Sequence, residues 1–243
     1  MVRRARDAGM GALLVTIDIP VPSKRERDLR NRFVLPLRPT ARHVYDLLRC
    51  PAWTLAQAKA GPPRFANYEP YAGPQASAME ITSYMTGQSR KGLDWREVDR
   101  LRALWPGPFL VKGVMAVDDA LAAIEHGCDG IVVSNHGGRQ LDAAPATIEV
   151  LPGIARAVNR RIKVLFDSGV RRGADIAKAM ALGADFVLVG RATLYGMAAG
   201  GRAGVDCAIN MLRDELSRTL AQIGCRSPAE LGPQYVAEFP TGR

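Results

Sequence analysis

Four short apolar runs punctuate the chain at regular spacing: Phe109 to Val114, Gly130 to Ser134, Val164 to Phe166 and Phe186 to Val189. They are rich in β-branched residues and bounded by glycine or polar turns, the pattern of strands buried on both faces of a parallel sheet. A fifth run, Ala12 to Ile19, lies near the N-terminus. Helical stripes fill the intervals between the last four. Val117, Leu121 and Ile124 share a face before Gly127. Ile148, Leu151, Ile154 and Val158 form a second stripe, with Pro152 tolerable only in a first turn, and Ile176, Ala179 and Met180 form a third before Gly183. Val205, Ile209, Leu212, Leu216, Leu220 and Ile223 mark a long last helix. This alternation predicts an α/β fold, with a parallel sheet and helices packed outside it.

Between Arg32 and Trp95 the pattern fails, because Pro36, Pro39, Pro51, Pro62, Pro63, Pro70 and Pro74 interrupt any long element. This interval is expected to be an excursion or lid. Within it, His43 to Trp53 reads as one short amphipathic helix carrying Val44, Leu47 and Leu48, which either packs against the body of the protein or touches a membrane surface. A closed (β/α)₈ barrel needs eight strands in about 250 residues, and only five are counted in these 243. The expectation is one domain over residues 1–243: an open sheet, or a partial TIM (β/α)₈ barrel with about five of eight βα units. The excursion occupies 32–95, and a C-terminal helix and tail occupy 202–243.

Hydrophobic residues at 47% suffice for a sizeable core. No apolar run approaches the roughly 20 residues needed to cross a bilayer, and no signal-peptide core follows Met1 to Arg6, so a cytoplasmic protein is expected. Cys50, Cys128, Cys207 and Cys225 are widely spaced, which predicts neither a metal site nor a disulfide framework. The net charge of +9 comes from scattered basic residues. It favours small anionic ligands and predicts no nucleic-acid partner.

Candidate chemistry gathers where the predicted strands end, which is where parallel α/β proteins assemble their sites. After the first strand, Asp18 is placed to orient and polarise a histidine, and Arg25 to grip a carboxylate. Lys112 interrupts an apolar strand, a costly position unless it faces an anion or an electron-rich ligand. His136 and Arg139 follow the third strand, separated by Gly137 and Gly138, and offer a base beside a fixed cation. Asp167-Ser168-Gly169-Val170-Arg171-Arg172-Gly173 and Gly190-Arg191 end the last two strands, where exposed backbone N–H groups and arginines suit a phosphate.

Ser134-Asn135-His136-Gly137-Gly138-Arg139-Gln140-Leu141-Asp142 resembles the signature of the FMN-dependent α-hydroxy acid dehydrogenase and oxidase family. The resemblance runs from about Ala5 to Pro233 and takes in Thr16-Ile17-Asp18, Lys24 to Phe33, Val111-Lys112-Gly113, Asp167 to Gly173 and Gly190-Arg191. Through Thr219 to Gly224 it leans towards the mandelate and bacterial lactate dehydrogenase branch. It implies FMN as cofactor and oxidation of an (S)-2-hydroxy acid, such as L-lactate or mandelate, to the 2-oxo acid. By resemblance His136 is the base supported by Asp18, and Arg139 and Arg25 hold the substrate carboxylate. Lys112 faces the N1–O2 edge of the flavin, with Thr16 and Ser134 near the ring. Asp167, Ser168, Gly169, Val170, Arg171, Gly190 and Arg191 hold the ribityl chain and phosphate.

The same resemblance implies quinone, cytochrome or oxygen as electron acceptor, a homo-oligomer at full length, and peripheral contact with the inner face of the cytoplasmic membrane through the excursion. It further implies that three N-terminal strands, part of the flavin wall and the substrate-facing tyrosines are not in this chain. A truncated product that binds FMN weakly or not at all is therefore expected, with an inactive fragment and an oxygen-using oxidase as alternatives.

Overall fold

The computed structural model describes residues 1–21, 23–32, 39–61, 65–73, 76–77, 80–81, 84, 87 and 93–237. The chain divides into two units, one comprising Met1 with Pro20–Gly92 and the other Val2–Ile19 with Leu93–Arg243.

In the larger unit a short helix α1 (Val2–Asp7) precedes strand β1 (Leu13–Thr16). After the chain returns, α6 (Trp95–Leu104), β2 (Phe109–Val114), α7 (Val117–Glu125), β3 (Gly130–Val133), α8 (Thr147–Val158), β4 (Lys163–Phe166), α9 (Gly173–Ala181), β5 (Phe186–Val187) and α10 (Arg191–Gln222) follow. The five strands form one sheet in sequential order, every neighbouring pair parallel. This is the five-unit arc of a (β/α)₈ barrel. Strands β1, β3 and β5 are shorter than the runs in the sequence, because those runs also contain loop starts that carry the site. The pairing nevertheless continues past the strand ends, through Ile17 N–H to Lys112 O and Leu188 N–H to Phe166 O.

Phe109, Val111 and Val114 of β2 and Ile131 and Val133 of β3 pack against Leu151, Ile154 and Val158 of α8, all at most 1% exposed. All four residues of β3 are buried, the two-faced burial that its uninterrupted apolar sequence predicts. Replacing Leu151 by alanine is expected to lower the unfolding free energy by about 2–5 kcal/mol through the cavity it leaves. Urea denaturation measures this, and a loss well under about 1 kcal/mol would place Leu151 outside a close-packed core.

Three helical expectations are corrected. Pro152 is the sixth residue of α8, not part of a first turn; the helix begins at Thr147, where the Glu149 carboxylate accepts from the Ala146 N–H, and it runs through the proline. The last helix starts fourteen residues before Val205, at Arg191, and bends at Gly200 and Gly201, whose backbones leave helical geometry. Gly196 and Gly204, on either side of the bend, meet backbone to backbone with no room for a side chain.

The third correction lies in the smaller unit, which contains α2 (Glu26–Arg30), α3 (Ala41–Arg49), α4 (Pro51–Ala60) and α5 (Glu69–Ala72). The single helix expected over His43–Trp53 is two helices, broken at Cys50 (φ −123°, ψ 61°). Pro51 drives the residue before it out of helical conformation and then serves as the first residue of α4. The Thr40 hydroxyl, accepting from the His43 N–H, starts α3. Pro36, Pro62, Pro63, Pro74 and the tail beyond residue 237 lie outside the described residues.

Candidate active site

Register places the site's first pair. Thr16, the last residue of β1, lies beside Lys112 of β2, and Lys112 lies beside Val132 of β3. The ladder then slips at Gly113, a bulge with φ 109°. A side chain there would sit 2.5 Å from the Asp18 Cβ, so the glycine lets the chain after β1 close onto β2 and brings Asp18 inward. Nothing in the sequence reading singled out Gly113, although its place directly after a strand lysine was visible.

Asp18 meets His136 across this gap, with Oδ1 at 3.2 Å from Nδ1. A carboxylate only accepts, so the ring proton of the neutral imidazole lies on Nδ1 and Nε2 is left as the basic nitrogen. His136 itself has φ 58°, in the left-handed region. The other Asp18 oxygen is buried with no hydrogen-bond partner among the described residues. Such an orphan acceptor is costly in a scaffold and points to a site that a further donor completes.

The Lys112 ammonium donates to Ser134 Oγ at 2.6 Å and pairs with Asp167 Oδ2 at 2.8 Å. Ser134 is fully buried, and its Oγ also accepts from the His136 N–H at 3.2 Å. Asp167 Oδ1 accepts from the Ser168 hydroxyl at 2.7 Å, and Ser168 Oγ accepts from the Gly137 N–H at 2.9 Å. Thr147, buried at the start of α8, donates to Asp167 O. Lys112, His136, Arg139, Asp167, Arg171 and Arg191 line one cavity of about 370 Å³, with Val170, Leu188 and Val189 supplying apolar wall. That volume and lining suit a flat organic ligand with an anionic end.

Two helix N-termini flank the cavity, and they differ. At α9 the N–H groups of Arg171 and Arg172 both donate to Asp175 Oδ2, and that of Gly173 donates to Glu215 Oε2, which reaches over from α10. Arg172 is engaged by the same Glu215 at 2.6 Å. Carboxylates therefore already fill this anion position. At α10 no side chain caps Gly190, and a side chain built on Gly190 or Gly169 would meet nothing within 4 Å. A phosphate thus fits the start of α10, beside Arg191, better than the start of α9.

The N–H of Gly173 and the Arg172 guanidinium hold the Glu215 carboxyl below its ordinary value of 4.5. A group with a lowered folded-state value adds stability that is full above its unfolded value and is lost as pH falls through the folded one. Glu215→Gln is therefore expected to flatten the decline of thermal stability below about pH 4.5. An acid limb identical to that of the parent chain would show that Glu215 does not hold α9.

Arg25 is not among the residues that line this cavity. It belongs to the smaller unit, precedes α2 and is exposed. No cysteine lines this cavity, and burial pushes the Cys128 thiol up to about 11, which disfavours the thiolate at neutral pH. No group of metal-binding side chains occurs among the described residues.

Comparison with known proteins agrees with this geometry. Residues 1–238 match the family described as FMN-dependent dehydrogenase. The chain is 45% identical over 238 residues to (S)-mandelate dehydrogenase of Pseudomonas putida, covering 97% of this chain and 59% of that protein. It is 41% identical to glycolate oxidase of Spinacia oleracea, covering 98% and 58%. The solved structure of the monotopic membrane protein (S)-mandelate dehydrogenase superposes with a TM-score of 0.92 at 42% identity, over 98% of this chain and 63% of that one. The chain thus spans about three fifths of the length of these relatives. With the family matched over nearly its whole length, the chain belongs to the FMN-dependent dehydrogenases.

Proposed function

We propose that this chain carries the catalytic wall of an FMN-dependent dehydrogenase that converts an (S)-2-hydroxy acid, L-lactate or mandelate in type, to its 2-oxo acid. The observation that carries this reading is the convergence on one cavity of a carboxylate-backed histidine, an exposed arginine and a strand lysine. The oxidation breaks one C–H and one O–H bond of the substrate; His136 takes one proton, and bound FMN would supply the two-electron acceptor for what remains. Asp18 holds the His136 ring and stabilises the charge it gains. Arg139, exposed at the cavity edge, holds the substrate carboxylate. Arg25 is proposed as its second partner on resemblance alone.

The donor set fits the cofactor. Lys112, with Thr16 and Ser134 beside it, would face the N1–O2 edge. Asp167 to Arg171 and the Gly190-Arg191 start of α10 would hold the ribityl chain and phosphate. FMN titrated into this chain assembled with the portion of Pseudomonas putida (S)-mandelate dehydrogenase that it does not match, followed by flavin fluorescence, tests this. Arg191→Ala is expected to weaken binding by about tenfold or more, the worth of a charge-assisted hydrogen bond. Equal affinity in the variant and the parent would remove the phosphate from the start of α10.

Peripheral membrane contact is proposed through α3 and α4. Val44, Leu47, Leu48, Trp53 and Leu55 are exposed there, Leu48 by 74%. No helix among the described residues is long and apolar enough to cross a membrane. Flotation with anionic vesicles should carry the chain upward and should fail for a Leu48→Glu, Trp53→Glu variant. Equal flotation of both would exclude this surface.

A further inference from the structure

The hydrogen bonds around the cavity close on themselves. Lys112 donates to Ser134, which accepts from the His136 N–H. The next N–H, that of Gly137, donates to Ser168, which donates to Asp167. Asp167 returns to Lys112 through its second oxygen. We infer that Ser168 is a positioning residue. Its hydroxyl ties the loop that carries His136 to the carboxylate that orients Lys112, and so keeps base and cation at a fixed separation. The inference rests on the roles given above to His136 and Lys112.

The backbone argues that the hydroxyl is there for this purpose. Ser168 has φ 77°, a left-handed conformation that is costly for a residue with a Cβ and free for glycine. Its neighbour Gly169 has φ 80°, so the turn itself asks for glycine at both positions. What serine adds is one oxygen that accepts from one loop and donates to the other. Strain held at a site in exchange for such a link is a recurrent feature of functional loops. The ring contains a second strained residue, His136, fixed on the opposite side. Phosphate binding does not account for Ser168, because its hydroxyl is already directed at Asp167.

The test is amide hydrogen exchange on the 243-residue chain without flavin, with the Lys112 ammonium followed by NMR in protein carrying isotope-labelled lysine. Ser168→Gly suits the turn and folds; Ser168→Ala keeps the strained backbone and likewise lacks the hydroxyl. In both, the Gly137 amide is expected to exchange about three- to tenfold faster relative to core amides. The Lys112 signal is expected to shift as Asp167 loses its anchor. Wild-type protection of Gly137 together with an unmoved Lys112 signal would overturn the inference. The readout needs no cofactor, so an assembled enzyme that holds FMN yet fails to oxidise 2-hydroxy acids counts against the proposed function and not against the ring.

Discussion

Replacing His136 by glutamine is expected to slow oxidation of a 2-hydroxy acid by about 10²–10⁴-fold, the usual worth of a positioned general base. FMN affinity should stay near the parent value, because the proposed phosphate and ribityl contacts lie in the loop after β4 and at the start of α10. The assay uses this chain assembled with the portion of Pseudomonas putida (S)-mandelate dehydrogenase that it does not match. The effect should fall on kcat, since the proton is taken only as the C–H and O–H bonds break. Asp18→Asn should lower kcat by less, because it leaves Nε2 in place and weakens only the group behind it. A His136→Gln enzyme with undiminished kcat would take the base away from this position.

Lys112→Met is the second large effect, and it has two parts. The ammonium and the Asp167 carboxylate are each about one-sixth exposed and 2.8 Å apart. Removing one partner leaves a largely buried charge, which costs about 3–5 kcal/mol of folding stability. In the assembled enzyme the variant also lacks the cation proposed to face the flavin, and the expected loss is about 10²–10³ in turnover, the worth of preorganised charge. The double variant Lys112→Met, Asp167→Asn separates the parts. It should regain much of the stability, since no unpaired charge remains, while turnover stays low. Recovery of both together would reduce Lys112 to a partner of Asp167.

The five parallel strands and the gathering of named side chains where they end were legible because both depend on local pattern. Uninterrupted apolar runs such as Gly130 to Val133 can only be buried on two faces, and parallel strands bring their C-terminal ends to one edge. His136, Lys112, Asp167 and Arg191 therefore had to meet, whatever the details of the loops. Helix α6 was missed although Asp94 followed by Glu97 was a readable start signal; the Asp94 side chain does accept from the Glu97 N–H. The break at Cys50 was also present in the chain, since a proline at position 51 excludes a helix running through.

What could not be read was long-range. The bulge at Gly113 exists because Asp18 must pass, 95 residues away in sequence. The occupancy of the α9 start depends on Glu215, 42 residues beyond Gly173, and turns one of two apparent phosphate positions into a structural cap. Arg25, expected from its charge to grip a carboxylate, lies in the other unit, and its role stays a proposal.

The most direct measurement is made on the FMN-loaded assembled enzyme with air excluded. Addition of (S)-mandelate or L-lactate should bleach the flavin absorbance in the parent protein and leave it unbleached, on the same timescale, in His136→Gln. A parent enzyme that holds FMN yet keeps its colour with every 2-hydroxy acid offered would contradict the assignment of this cavity to their oxidation.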